Sequence, residues 1–126
     1  MALFNYLNEM NNLPYNYERE VSTRYRFFST GRRRVEKIVV FTPLVLKDIF
    51  NPGFGDVLRD GSIDDTANTN NGDIIKVLST VIHIIKDFID TYPGAKIVCK
   101  GSTKDRTMLY QRILKNISST FYSRPQ

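Results

Sequence analysis

Residues 73–91, with the sequence DIIKVLSTVIHIIKDFIDT, show the strongest periodicity in the chain. Successive residues of an α-helix are turned by about 100°, and at that angle the apolar side chains occupy one half of the helix surface. A stripe this wide usually packs on a sheet and also touches a second helix or another subunit. The apolar half comprises Ile74, Val77, Leu78, Val81, Ile82, Ile85, Phe88, Ile89 and Tyr92.

The segment before this helix is typical of β-strands. Residues 21–28 alternate between two faces, and the β-branched run VEKIVVFT at residues 35–42 predicts a second strand. Thr30-Gly31 supplies turn residues between them, so the two strands form a hairpin. Further strands are expected around residues 54–58 and 63–68, joined by a tight turn at residues 59–62.

The segment after the helix predicts one more strand and one more helix. Tyr92-Pro93-Gly94 ends the first helix, AKIVC at residues 95–99 forms a short strand, and residues 103–118 form a second helix. The predicted order ββββαβα indicates an α+β two-layer sandwich with a mainly antiparallel sheet and both helices on one face. We expect residues 1–19 to be a loosely ordered arm and residues 20–126 a single domain.

The composition of the chain argues against several classes of function. The chain has 126 residues, a net charge of +5, one cysteine and one histidine. One cysteine excludes an internal disulfide. A single histidine also provides few ligands for a metal site and no second histidine for a proton relay. The sequence has neither an apolar run long enough to span a membrane nor a secretory signal, so we expect a soluble, cytoplasmic protein with no membrane role.

The charge is unevenly distributed along the chain. Residues 1–47 carry eight basic and four acidic groups (+4), residues 48–73 carry one and six (−5), and residues 74–126 carry nine and three (+6). An acidic middle between two basic flanks indicates internal charge pairing as readily as a nucleic-acid footprint. The isoelectric point alone therefore does not identify a partner.

Several motifs resemble those of a known family. They are Phe54-Gly55-Asp56, Ile63-Asp64-Asp65, Asn70-Asn71-Gly72-Asp73, Tyr92-Pro93, and a final GSTxxRTxLY motif at residues 101–110. Over residues 20–118 the chain resembles a family of small uncharacterised bacterial proteins, found chiefly in Bacteroidota and classed as a domain of unknown function. The resemblance carries over no established activity or cofactor.

The junction between the last strand and the second helix is a candidate anion site. The free N–H groups of a helix N-terminus attract phosphate or carboxylate, and basic side chains surround this one. Ser102 and Asp105 also fit a capping box, which needs no ligand. Arg106 shares a face with apolar residues, so it pairs either with a ligand anion or with an internal Asp56, Asp64 or Asp73. The candidate residues are Lys100, Gly101, Ser102, Thr103, Lys104 and Arg106.

The first hairpin is a second candidate site, because its strand and its turn are rich in arginine. Guanidinium groups and a neighbouring aromatic ring, Phe28, could grip phosphates and stack on bases. The alternative is a solvated turn whose charges protect an edge strand. The candidate nucleic-acid-binding residues are Arg24, Arg26, Arg32, Arg33 and Arg34.

The remaining reactive residues do not form a catalytic or metal set. The acidic residues of the middle segment lack calcium-loop spacing, and Asp64 and Asp65 point to opposite faces of a strand. His83 lies on the polar face of the helix, whereas Cys99 lies in a strand. We therefore predict no catalytic residue, no metal and no cofactor.

Three functions from different classes remain. The first is a non-enzymatic module that binds nucleic acid or another polyanion, using the arginine-rich hairpin and the helix N-terminus. The second is a protein-interaction or homo-oligomerisation module, which would use the wide apolar stripe. The third is an enzyme acting on a phosphorylated small molecule at residues 100–106, which lacks an obvious base.

Overall fold

The computed structural model of the chain describes residues 14–64 and 71–98. These residues form an antiparallel sheet in the order β1-β2-β3-β4-β5, and a sixth strand pairs with β4 in parallel. One helix connects β5 to β6. The elements are β1 (Tyr17–Val21), β2 (Arg24–Thr30), β3 (Arg34–Pro43), β4 (Ile49–Val57), β5 (Ile63–Asp64), α1 (Ile74–Thr91) and β6 (Lys96–Ile97).

The hairpin of β2 and β3 follows the predicted alternation. In β2, Tyr25 and Phe27 are buried, whereas Arg24 is exposed. The register pairs Tyr25 with Val39 and Phe27 with Lys37, so the buried side chains of the two strands share one face. This confirms the predicted hairpin and the faces of its strands.

A strand at residues 17–21 precedes this hairpin, where the sequence predicted none. The expected first strand starting at Val21 is divided by a turn at residues 22–23, and Tyr17 pairs with Phe27 across β1 and β2. Tyr17–Arg19, from the end of the expected arm, therefore lie in the sheet. Residues 1–13 lie outside the described residues.

β4 is longer than predicted because its proline and glycines are compatible with its position. The Leu44 N–H donates to the Ile49 carbonyl. In this register Pro52, which pairs with Phe41, falls at a position whose nitrogen points away from β3. The missing N–H of Pro52 therefore removes no bond between β3 and β4.

The helix α1 packs on the sheet face that carries Tyr25 and Phe27. The Phe88 ring stacks on Phe41 with centroids 4.0 Å apart and meets Phe50 edge-on at 5.0 Å. Burial of such rings supplies most of the hydrophobic stabilisation. The core cluster comprises Tyr25, Phe27, Val39, Phe41, Phe50, Val77, Val81, Ile84, Ile85 and Phe88.

A buried ion pair lies on the same sheet face. The Lys37 ammonium is 2.5 Å from an Asp56 carboxylate oxygen, and both side chains are less than a tenth exposed. Opposite charges on paired residues of β3 and β4 compensate each other's loss of hydration. Asp56, one of the residues considered for Arg106, therefore pairs with Lys37, and both residues also make contacts beyond this pair.

The described residues confirm the α+β class and the mainly antiparallel sheet. The predicted second helix at residues 103–118, and with it the arrangement of two helices on one face, lies outside the described residues. Within the described part, α1 is not apolar enough to cross a membrane, and no other helix there could do so.

Candidate functional site

The turn between β2 and β3 presents three consecutive arginines. Gly31, Arg32 and Arg33 connect the strands, and Arg34 begins β3 opposite Thr30. All three arginines are exposed. Three guanidinium groups on adjacent residues give this end of the sheet a concentrated positive charge.

The backbone of this turn is held by Asn71, which lies just before α1. The Arg32 N–H donates to the Asn71 backbone carbonyl at 2.8 Å, and the Arg33 N–H donates to Asn71 Oδ1 at 2.9 Å. The Asn71 amide donates in turn to the Arg33 carbonyl at 2.7 Å. Asn71 is 2% exposed, so these bonds are shielded from water. The turn is therefore fixed rather than loosely solvated.

A close backbone approach makes this arrangement specific to Gly31. A Cβ atom at Gly31 would lie 1.9 Å from the Asn71 carbonyl oxygen, which is backbone and cannot rotate away. Any larger residue would push the turn off the Asn71 segment. The glycine that the sequence indicated as a turn residue is thus required for a tertiary contact.

A second set of hydrogen bonds joins the hairpin to the start of α1. Ser29 and Tyr15 both donate to Asp73 Oδ2, at 2.5 and 2.6 Å, and the Thr30 N–H donates to the Tyr15 hydroxyl. Asp73 is the N-cap residue of α1, but its side chain makes no cap hydrogen bond. The Asp73 carboxylate bonds to the hairpin and to Tyr15 instead.

Arg34 lies over an aromatic ring on the face opposite α1. Its guanidinium carbon is 3.8 Å from the centroid of Phe28, which is half-buried. A guanidinium at this distance is held by cation–π attraction, and its outer face stays available for another planar group. Arg34 and Phe28 are diagonal neighbours across β2 and β3.

Arg26, in contrast, is engaged by carboxylates. Its guanidinium lies 3.2 Å from Glu18, 3.2 Å from Glu20 and 3.3 Å from Glu36. The hydrogen bond to Glu36, with the charges of the other glutamates, raises the pKa of Arg26. One positive charge among three negative ones leaves this part of the sheet face acidic.

Arg24 lies at the other end of β2 and pairs with Val40. At about 3.3 Å per residue, it is roughly 20 Å from the turn. The structure therefore separates the five arginines predicted to act together. Arg32, Arg33 and Arg34 are adjacent at the turn, Arg26 is neutralised, and Arg24 is remote.

The other candidate residues have structural roles or lie outside the described part. Asp60 accepts bonds from the Ser62 N–H and hydroxyl, which lower its pKa and stabilise the predicted turn. His83 Nδ1 is 2.8 Å from the Ser79 carbonyl in the preceding turn of α1. The predicted anion site lies outside the described residues, and so does Cys99. The residues of that site are Lys100, Gly101, Ser102, Thr103, Lys104 and Arg106.

Two features of functional interest were not predicted. One is the contact of Asn71 with the turn, for which the only signal was the polar run Asn70-Asn71-Gly72-Asp73. The other is the loop at residues 44–46 between β3 and β4, where Val45 is fully exposed and Leu46 is 68% exposed. The signal for this loop in the sequence was a run of three adjacent aliphatic residues outside any predicted helix or strand.

The comparison with protein families identifies the chain. It matches a family of unknown function, DUF6934, over residues 11–124, and it belongs to that family. The match agrees with the resemblance stated from the motifs. No curated protein and no solved structure matches the chain.

We expect Gly31→Ala to destabilise the domain by about 1–3 kcal/mol, because the added Cβ must displace the turn or the Asn71 backbone. Urea unfolding followed by circular dichroism measures the change. Gly53→Ala in β4 is the matched control, since its Cβ would find its nearest neighbour at an ordinary 3.7 Å. Equal losses in the two variants would contradict the close approach at Gly31.

Proposed function

We propose that this domain is a non-enzymatic polyanion-binding module whose contact surface is the turn at Arg32–Arg34. The observation that carries the proposal is a turn of three adjacent exposed arginines in which Asn71 holds the backbone of Arg32 and Arg33. Guanidinium groups bind phosphate oxygens through paired N–H donors, and a preformed backbone lowers the entropy lost on binding.

Arg33 and Arg34 make the main contribution in this proposal. The Arg32 side chain lies along Gly72, where a Cβ would come within 3.8 Å of its guanidinium carbon, and Arg32 has further contacts of its own. Its charge still adds to the local potential. The contact surface therefore consists of two outward guanidinium groups supported by a third.

The acidic group around Arg26 limits the size of the surface. Glu18, Glu20 and Glu36 lie on the strand face next to the turn, and they would repel a phosphate chain laid along β2. The bound segment is thus confined to the turn, with about two or three phosphate contacts. For a single strand this predicts a slope of about −1.4 to −2.1 in log K against log salt.

The hydroxyl groups beside the turn support a binding role. Ser29 is fully buried and donates its hydroxyl hydrogen to Asp73, so it cannot reach a bound substrate. Tyr15 donates to the same carboxylate. These hydroxyl groups serve the network that positions the turn.

We expect Arg33→Glu to weaken binding of labelled single-stranded RNA or DNA, and of inorganic polyphosphate, roughly 10-fold at low salt, because it replaces an attractive charge by a repulsive one. Fluorescence anisotropy measures the affinity for the labelled oligonucleotides directly. The affinity for polyphosphate is measured by its competition with a labelled oligonucleotide. Arg24→Glu makes the same change in net charge at the remote end of β2 and should alter affinity by less than about twofold.

Two results would overturn this proposal. One is wild-type protein that binds none of these polyanions at low salt. The other is an equal loss in Arg33→Glu and Arg24→Glu, which would show that net charge rather than the turn determines binding.

The loop between β3 and β4 favours a second function, contact with another copy of this chain. Leu44, Val45 and Leu46 are all exposed, and runs of exposed aliphatic residues are uncommon without a partner. The loop is anchored, since the Leu44 N–H donates to the Ile49 carbonyl and Asp48 accepts a hydrogen bond from Tyr92. Two fixed aliphatic loops can pack against each other about a twofold axis.

We expect the wild-type mass measured by light scattering to rise with concentration, and Val45→Asp to prevent the rise by placing a charge in the contact. Leu58→Asp is the control, because Leu58 is an exposed leucine at the opposite end of β4. A wild-type chain that stays monomeric at high concentration would contradict the self-association.

A further inference from the structure

We infer that the polyanion is single-stranded nucleic acid, with one base stacked on the outer face of the Arg34 guanidinium while Phe28 supports its inner face. This inference rests on the proposed function of the turn and specifies its ligand. It is carried by the geometry of the Arg34–Phe28 pair and by the charges around it.

The stack gives the turn a flat surface as well as a charge. The guanidinium carbon of Arg34 is 3.8 Å from the Phe28 ring centroid, so the guanidinium group is held over the ring. Arg34 is exposed, so the other side of its guanidinium faces outward. Unpaired bases stack on guanidinium planes in the same way as on aromatic rings.

The support beneath this surface is rigid. Arg34 follows Arg33, whose backbone N–H and carbonyl both bond to the Asn71 side chain. Phe28 lies in the middle of β2 and pairs with Glu36 of β3. A base that stacks on Arg34 therefore meets a plane that is already in place, and little ordering is required on binding.

The neighbouring charges favour a single strand over a duplex. A single strand can direct its phosphates toward Arg33 and Arg32 and place one base on Arg34. A duplex keeps its bases paired inside, and its second phosphate strand would approach the acidic group of Glu18, Glu20 and Glu36. A polyanion without bases gains only the electrostatic attraction of the turn.

The test compares three labelled probes on the full chain by fluorescence anisotropy at low salt. They are a short single-stranded oligonucleotide, an abasic strand with the same number of phosphates, and a duplex of the same sequence. We expect the single strand to bind about 10-fold more tightly than the abasic strand, as one stacked base provides, and more tightly than the duplex.

Conservative variants identify the stacking residue. Arg34→Lys keeps the positive charge but loses the planar group, so it should abolish most of the preference for the single strand over the abasic strand. Phe28→Leu removes the supporting ring and should also lower the preference for the single strand over the abasic strand. Arg33→Lys is the matched control, because the described residues show no ring against Arg33, and it should keep the preference.

The outcomes separate this inference from the proposed function. If the single strand and the abasic strand bind equally, or if the duplex binds most tightly, the stacking inference is wrong while polyanion binding stands. Equal retention of the preference in Arg34→Lys and Arg33→Lys would also overturn it. If no probe binds but inorganic polyphosphate does, the stacking inference is wrong while polyanion binding stands. If polyphosphate does not bind either, the proposed function itself fails.

Discussion

The insertion of Asn71 into the β2–β3 turn is the interaction on which the candidate site depends. Its side chain both accepts from and donates to the backbone of Arg33, and it also donates to the Ser29 hydroxyl. The buried Asn71 amide satisfies hydrogen bonds of several backbone and side-chain groups. Its loss would leave these buried groups unpaired, which would destabilise the fold. One residue, whose separation from Arg33 is 38 positions in the sequence, therefore determines how the arginines are presented.

The rest of the fold holds Asn71 against the turn. α1 packs its phenylalanine and aliphatic side chains on one sheet face, and this packing places the residues before Ile74 beside the hairpin. Asp73 adds bonds to Ser29 and Tyr15, so the hairpin, the segment around Tyr15 and the helix start are joined at one point. The polar network and the apolar core thus support the same arrangement.

Local patterns predicted much of this fold, and long-range contacts account for what they missed. Alternation identified the faces of β2 and β3, and the period of residues 73–91 identified α1, because both signals depend only on neighbouring residues. β1 was missed since Tyr17 becomes a strand residue only by pairing with Phe27. The arginine-rich hairpin was identified as a candidate, but the neutralisation of Arg26 depends on glutamates brought close by strand register. The role of Asp73 could not be predicted for the same reason.

Hydrogen exchange at the Arg32 and Arg33 backbone amides measures how rigidly the arginine-rich turn is held. Turn amides exposed to water exchange rapidly, whereas amides bonded within a buried network exchange only when the structure opens. We expect both amides to be as well protected as the amides that bond β2 to β3. In Asn71→Ala the Arg33 amide should lose its protection, because the variant removes the side-chain oxygen that accepts its hydrogen bond but keeps the backbone carbonyl that accepts from Arg32. Rapid exchange of both amides in the wild-type protein would mean that Asn71 does not hold the turn.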